Sequence, residues 1–63
     1  MSLPENIAKL RQEKGFTQVE LAKILDIAQP NIAQYEKGIK VPNIVVGVEL
    51  AKALGTTCEE LVK

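Results

Sequence analysis

Residues 18–37, QVELAKILDIAQPNIAQYEK, are the stretch that decides the fold. Each half has apolar residues at the spacing of a short helix, and Ile32 and Tyr35 form the inward pair of the second half. Asp26 stands between the halves, where it is predicted to adopt the left-handed conformation that reverses the chain. Two short helices joined by such a turn cross steeply, and Ala22 supplies the small side chain needed at the crossing. The stretch therefore predicts a pair of steeply crossed helices.

Local signals mark where these two helices begin and end. Thr17 and Glu20 have the spacing of a capping box, in which each side chain binds the other residue's backbone N–H. The first helix of the pair is therefore predicted to run from Gln18 to about Leu25. The second is predicted to begin near Gln29 and to end at Gly38.

The flanking sequence predicts three further helices. Pro4 to about Lys14 suits a first helix, because proline is well tolerated in the first turn. A fourth helix is predicted between Asn43, as its N-cap, and Gly55, although its β-branched start favours a strand by propensity alone. A strand would have no second strand-like segment to pair with, so a helix is expected. A short fifth helix over about Cys58 to Val62 completes an all-α fold of five short helices in one domain, residues 1–63.

The fourth helix carries more apolar residues than a small core needs. The residues predicted to face the core are Ile44, Val48, Ala51 and Leu54. The residues that extend the apolar surface beyond this stripe are Val45, Val46 and Leu50. One interpretation is additional contact with the fifth helix, and the other is a symmetric homodimer. The dimer hypothesis assigns the interface to Val41, Val45, Val46 and Leu61.

Composition limits the class of protein. The 63 residues include no histidine and one cysteine, Cys58, which is interpreted as a small residue near the core. A single cysteine excludes an internal disulfide, and the lack of histidine excludes a Cys/His zinc set, so no metal or cofactor is expected. An enzyme is not expected, because no activated nucleophile or phosphate-binding loop is present. Neither a membrane-spanning run nor a signal-peptide pattern is found, so a soluble, cytoplasmic protein is expected.

The charge balance gives no bulk attraction to a polyanion. Eight basic residues match eight acidic ones. Residues 1–40 carry six basic and five acidic side chains, and residues 41–63 carry two and three. Because non-specific DNA affinity comes from phosphate neutralisation, any DNA contact has to depend on individually placed side chains.

The outer face of the third predicted helix carries mostly uncharged side chains. At about 100° per residue, the outward residues are Pro30, Ala33, Gln34 and Lys37, with Gln29 and Asn31 at the flanks. Glutamine and asparagine can form paired hydrogen bonds with adenine, and alanine or proline can contact a thymine methyl group. These residues could also be ordinary solvated surface. Their position on a shallowly seated helix favours entry into a DNA major groove.

Three segments closely resemble the Cro/C1-type, lambda-repressor-like helix-turn-helix family. They are residues 7–22 (IAKLRQEKGFTQVELA), 32–38 (IAQYEKG) and 51–55 (AKALG). The resemblance spans nearly the whole chain and implies a five-helix, DNA-binding, dimeric transcriptional regulator from a bacterium, phage or mobile element. Two positions depart from the family pattern: Asp26 replaces the usual glycine, and Ala28 replaces the serine or threonine that caps the recognition helix.

The resemblance also assigns roles to individual residues. It implies that Thr17 presents its backbone and Gln18 its side chain to a phosphate. It implies that Gln29, Pro30 and Gln34 occupy base-reading positions. It implies contacts with a phosphate or a base edge for Asn31 and Lys37. Lys40 is a further candidate for a phosphate contact, and both lysines could equally be ordinary surface charge. The resemblance implies a structural ion pair between Arg11 and Glu36.

The function hypothesis is a sequence-specific transcriptional regulator, a repressor, that binds double-stranded DNA through the helix at residues 29–37. The expected partners are DNA and a second copy of the chain, with no small-molecule ligand. The alternative is a helical protein-interaction module of the antitoxin or coactivator type.

Overall fold

Residues 2–63, which the computed structural model describes, form five α-helices and no strand. The helices are α1 (Leu3–Glu13), α2 (Gln18–Leu25), α3 (Gln29–Lys37), α4 (Ile44–Ala53) and α5 (Cys58–Leu61). The predicted all-α fold of five short helices is confirmed, and the bounds of α2 and α3 agree with the prediction. No helix in this part of the chain is both long and apolar enough to cross a bilayer.

The turn between α2 and α3 is built around a left-handed Asp26, as predicted. Its φ and ψ are 56° and 45°. Its N–H donates to the Lys23 carbonyl at 3.2 Å, and the next N–H, from Ile27, donates to the Ala22 carbonyl at 3.0 Å. These two bonds form a Schellman motif, which satisfies carbonyl groups that the end of a helix leaves without partners. The motif directs Ile27 back toward the core, where it packs as a partly buried residue.

Side-chain caps fix the starts of α2, α4 and α5. The Thr17 hydroxyl accepts from the Glu20 N–H at 3.1 Å, and the Thr17 N–H donates to the Glu20 carboxylate at 2.8 Å, so the predicted capping box is formed. Asn43 Oδ1 caps α4, as predicted. Thr57 and Glu60 have the same spacing as Thr17 and Glu20, but they form only half of a capping box. The Thr57 hydroxyl accepts from the Glu60 N–H, whereas the Glu60 carboxylate accepts from a C-terminal lysine.

The core is formed by side chains from all five helices. Its fully buried members are Ile7, Leu21, Ile32, Leu50, Leu54 and Leu61. Ala22 is buried beside them, as expected of the small residue where α2 and α3 meet. The buried Asn6 of α1 donates from Nδ2 to the Leu61 carbonyl at 2.8 Å, which holds the C-terminal helix against α1.

The predicted inward face of α4 is partly wrong. Ile44 is 82% exposed and Val48 is also exposed, whereas Leu50, expected outside the stripe, is fully buried. Ile44 is the first residue of α4 and projects beyond the core. Leu50, Ala51 and Leu54 provide the buried face instead. Because α4 has apolar residues on several sides, its hydrophobic pattern alone does not determine which side faces the core.

Two predictions about α5 are also wrong. Leu61, assigned to the dimer interface, is only 2% exposed and packs into the core of the chain. Cys58, interpreted as a small residue near the core, is exposed. Cys58 is the first residue of α5, and its side chain stays in solvent although Leu61, three residues later, is buried.

Candidate nucleic-acid interface

The predicted DNA-binding residues lie on three segments: the start of α2, α3 itself and the loop after α3. They are Thr17, Gln18, Gln29, Pro30, Asn31, Gln34, Lys37 and Lys40. On α3, Pro30 and Lys37 are exposed and Gln34 is half-buried, while Ile32 and Tyr35 are buried. The projection of α3 from the sequence therefore agrees with the observed burial.

The ion pair between Arg11 and Glu36 is formed and joins α1 to α3. Arg11 Nε donates to Glu36 Oε2 at 2.6 Å, and Arg11 Nη2 donates to Glu36 Oε1 at 3.1 Å. Arg11 Nη1 donates to the Phe16 carbonyl at 2.8 Å. Only 12% of the Arg11 side chain and 9% of the Glu36 side chain are exposed. The two-pronged contact therefore fixes the position of the Glu36 carboxylate.

This carboxylate sets the orientation of two glutamine amides. Gln18 Nε2 donates to Glu36 Oε1 at 3.1 Å. Because an ionised carboxylate only accepts, the Gln18 nitrogen has to face it and the Gln18 carbonyl has to point away. That carbonyl accepts from Gln29 Nε2 at 2.8 Å. Gln29 keeps its carbonyl oxygen and a second N–H for another partner, and this acceptor and donor match the edge of adenine.

The start of α3 is held by a side chain of α2 and has no side-chain cap of its own. Ala28 occupies the N-cap position with an extended backbone and makes no side-chain bond to the helix. Pro30, in the first turn, has no N–H, so it contributes neither a donor nor an orphaned group there. The hydrogen bond from Gln29 to Gln18 therefore ties the uncapped end of α3 to α2.

Thr17 offers a different group from the one implied by the family resemblance. Its backbone N–H donates to the Glu20 carboxylate within the capping box. Its hydroxyl oxygen accepts from the Glu20 N–H. The hydroxyl hydrogen is therefore the donor that Thr17 can present to a phosphate.

A second polar link lies on the other flank of α3. Lys40, in the loop after the helix, donates from Nζ to Asn31 Oδ1 at 3.1 Å. Sequence reasoning missed this link and the one between Gln18 and Gln29, because each joins residues from different elements. The predicted steep crossing of α2 and α3 was the only signal that the starts of these helices lie close together.

Comparison with known proteins identifies the family. A family model described as helix-turn-helix matches residues 7–61. The chain belongs to this helix-turn-helix family. It is of the Cro/C1, lambda-repressor-like type.

The uncharacterized HTH-type transcriptional regulator y4dJ of Sinorhizobium fredii is 40% identical over 57 residues, covering 90% of this chain and 74% of y4dJ. HTH-type transcriptional regulator AnsR of Bacillus subtilis is 33% identical over 57 residues, and the match spans only 49% of AnsR.

Solved structures share the fold of this helix-turn-helix chain. The P22 c2 repressor in complex with synthetic operator 9T has a TM-score of 0.95 and 27% identity, over 100% of this chain and 96% of the repressor chain. SinR in complex with DNA has a TM-score of 0.87 and 23% identity, over 94% of this chain and 95% of that chain, a likeness of fold. The lambda-repressor-like fold is therefore confirmed.

Proposed function

We propose that this helix-turn-helix protein is a sequence-specific transcriptional regulator, a repressor that binds double-stranded DNA as a dimer in the bacterial cytoplasm. α3 enters the major groove, and the start of α2 lies against the backbone beside it. The observation that carries this proposal is the amide of Gln29, which Gln18 and Glu36 hold in one orientation. An oriented amide suits base reading because its donor and acceptor are placed before DNA arrives.

The comparisons add support for this assignment. The P22 c2 repressor, which the chain matches along its whole length, was solved with an operator. The relatives y4dJ and AnsR are named transcriptional regulators. On α3, Gln29 and Gln34 provide groups that can bind base edges, Pro30 provides an apolar surface for a thymine methyl group, and Lys37 provides charge for a phosphate.

Selection from randomised duplex DNA tests this proposal. The wild-type protein is expected to enrich half-sites with a defined base preference. Gln34→Ala is expected to lose preference at one or two base pairs, at a cost of about 1–3 kcal/mol in binding free energy. Gln12→Ala, at an exposed position of α1, is the matched control and should leave the profile unchanged.

Two outcomes would count against this assignment. An unchanged profile for Gln34→Ala would remove Gln34 from the base-reading residues. Enrichment of no sequence by the wild-type protein would contradict DNA recognition and favour the protein-interaction alternative.

The proposed dimer uses an exposed apolar surface on α4 and the loop before it. This α4 surface consists of Val41, Ile44, Val45 and Val48. Val41 and Val45 are 75% and 68% exposed, while Val46 is half-buried against the core. Beside the surface lies a cleft of about 210 Å³, with Leu61 among its lining residues. A second copy of the chain would cover the same surface symmetrically and remove both sets of aliphatic side chains from water.

Sedimentation of charge-substituted variants tests the dimer. Val45→Lys is expected to shift the protein to monomer, because pairing would bury two ammonium groups in apolar surroundings. Ile24→Lys is the matched control, since Ile24 is exposed to a similar degree on α2. This variant should sediment like the wild-type dimer. A wild-type protein that remains monomeric at high micromolar concentration would contradict the proposed pairing.

A further inference from the structure

A polar cleft of about 260 Å³ lies between α1 and α5. None of its lining residues belongs to the proposed DNA-binding residues or to the α4 surface, so no function proposed above accounts for it. Only one of them is apolar, so the cleft suits a ligand that carries several polar groups. The lining residues are Asn6, Lys9, Leu10 and Glu13 of α1, Thr56 of the turn between α4 and α5, and Glu60 of α5.

The buried amide of Asn6 has an oxygen that opens into this cleft. Asn6 is only 6% exposed, and its Nδ2 donates to the Leu61 carbonyl at 2.8 Å. Because a carbonyl only accepts, the nitrogen has to face Leu61 and Oδ1 has to point away. Oδ1 accepts from no group of residues 2–63, and no enclosed polar side-chain atom of these residues lacks a partner. Oδ1 is therefore open to the cleft that Asn6 lines, where it favours a ligand that donates.

Lys9 and Glu13 bring opposite charges to the same cleft. They lie about one and two turns after Asn6, so the three side chains share one face of α1. Both are exposed. Neither takes part in an ion pair within residues 2–63, where the two ion pairs are formed by other side chains. A lysine that precedes a glutamate by four residues is the less favourable order for pairing along a helix. Each charge is therefore available to a ligand.

This combination of groups selects the chemistry of the ligand. A free anion would satisfy Lys9 but would meet the carboxylates of Glu13 and Glu60. An amine without a carboxylate would satisfy Glu13 and Asn6 but would leave Lys9 unpaired. A metal ion is not favoured, because residues 2–63 contain no group of three or more acidic, histidine or cysteine side chains that could hold one. A zwitterion with one ammonium and one carboxylate group satisfies both charges and the amide.

We propose that this cleft binds a free α-amino acid. The ligand's ammonium group donates to Asn6 Oδ1 and to the Glu13 carboxylate, and its carboxylate accepts from the Lys9 ammonium group and the Thr56 hydroxyl. Leu10 provides an apolar contact for an aliphatic side chain. The sequence alone predicts no small-molecule ligand, because these residues come from separate elements that only the fold brings together.

Calorimetric titration with L-valine as the probe tests this proposal. Two matched compounds each lack one charge: isobutylamine has no carboxylate, and 3-methylbutanoate has no ammonium group. L-valine is expected to bind the wild-type protein with a Kd of about 1 mM, and the two matched compounds at least about tenfold more weakly. L-valine at about five times its Kd should also raise Tm by about 4–8 °C, because it binds only the folded protein.

Two variants show which group of the ligand each charge binds. Lys9→Met is expected to weaken L-valine binding about tenfold and to remove the preference for L-valine over isobutylamine. Glu13→Gln should remove the preference over 3-methylbutanoate in the same way. Lys52→Met and Glu59→Gln are the matched controls, since both residues are exposed and outside the cleft lining, and they should bind L-valine like the wild-type protein. Circular dichroism verifies that each variant is folded.

Three results would overturn the proposal. A wild-type protein that binds no L-valine at ten times the expected Kd would exclude the ligand. Equal binding of L-valine and its two matched compounds would exclude recognition of a zwitterion. L-valine binding that is unchanged in both Lys9→Met and Glu13→Gln would place the ligand elsewhere on the protein. All three results leave the DNA-binding function intact, because the cleft shares no residue with the proposed DNA interface.

Discussion

α3 and α4 both present side chains that their own protomer leaves uncovered, but the two surfaces differ in how they are built. On α3, Gln29 and Asn31 are held by hydrogen bonds from other segments, so their remaining groups point in set directions. On α4, Ile44 and Val45 are aliphatic side chains without directional groups. Directional groups can discriminate among base edges, whereas an aliphatic surface is best covered by another aliphatic surface. This difference is the basis of the proposal that α3 reads DNA and that α4 pairs subunits.

Substitutions at two positions of α4 should have very different effects on stability. Leu50→Ala is expected to lower the free energy of unfolding by about 2–5 kcal/mol, because it leaves a cavity in the core. Ile44→Ala should change it by less than about 0.5 kcal/mol, because Ile44 is exposed. Urea unfolding at low protein concentration, followed by circular dichroism, gives both values.

The outcome also distinguishes the observed face of α4 from the one predicted from the sequence. If the two variants lose equal amounts of unfolding free energy, or if Ile44→Ala loses more, the side of α4 that carries Leu50 is not the side that packs against the core. If Leu50→Ala shows no cooperative unfolding transition, the smaller truncation Leu50→Val provides a measurable loss of unfolding free energy.

On the α3 side, Glu36→Gln tests how firmly the proposed base-reading residues are held. The substitution leaves the largely buried guanidinium group of Arg11 without its carboxylate, and we expect a loss of about 2–3 kcal/mol in unfolding free energy. Glu13→Gln, on the exposed side of α1, is the control and should change stability by less than about 0.5 kcal/mol. Urea unfolding of both variants provides the comparison. A loss no greater than the control's would mean that the ion pair does not anchor α3.

Substitutions at Asp26, in the turn that joins α2 to α3, should have the smallest effect on stability. Asp26→Gly is expected to leave stability unchanged or raise it by up to about 1 kcal/mol, because glycine adopts the left-handed conformation without a side-chain penalty. Asp26→Ala is the control that retains Cβ and should be less stable than the glycine variant. The two melting curves can be compared directly. A clear destabilisation by glycine would indicate that the Asp26 side chain makes a contribution larger than its backbone strain.

The contrast between α3 and α4 also explains which features of the structure could be predicted from the sequence. α2 begins at a capping box, and Asp26 and Gly38 end α2 and α3 in left-handed conformations. Apolar residues recur at helical spacing in both helices, so their bounds and inward faces were predictable. α4 is apolar on several sides, so the choice of Leu50 over Ile44 for the core depended on tertiary packing. The hydrogen bond from Lys40 to Asn31 depends on the path of a loop, which no periodic pattern encodes. Residue types could therefore identify candidates for base reading, but they could not show which hydrogen-bonding groups those side chains leave free for DNA.

Half-site spacing in selected DNA tests most directly whether α3 reads DNA while α4 pairs subunits. Wild-type protein should select paired half-sites with centres about 34 Å apart, which is one DNA turn. Val45→Lys should select the same bases within a half-site but lose the fixed spacing, because it disrupts only the proposed pairing surface. If Val45→Lys changes the base preference, or keeps the paired spacing, the proposed separation of reading by α3 and pairing by α4 is contradicted.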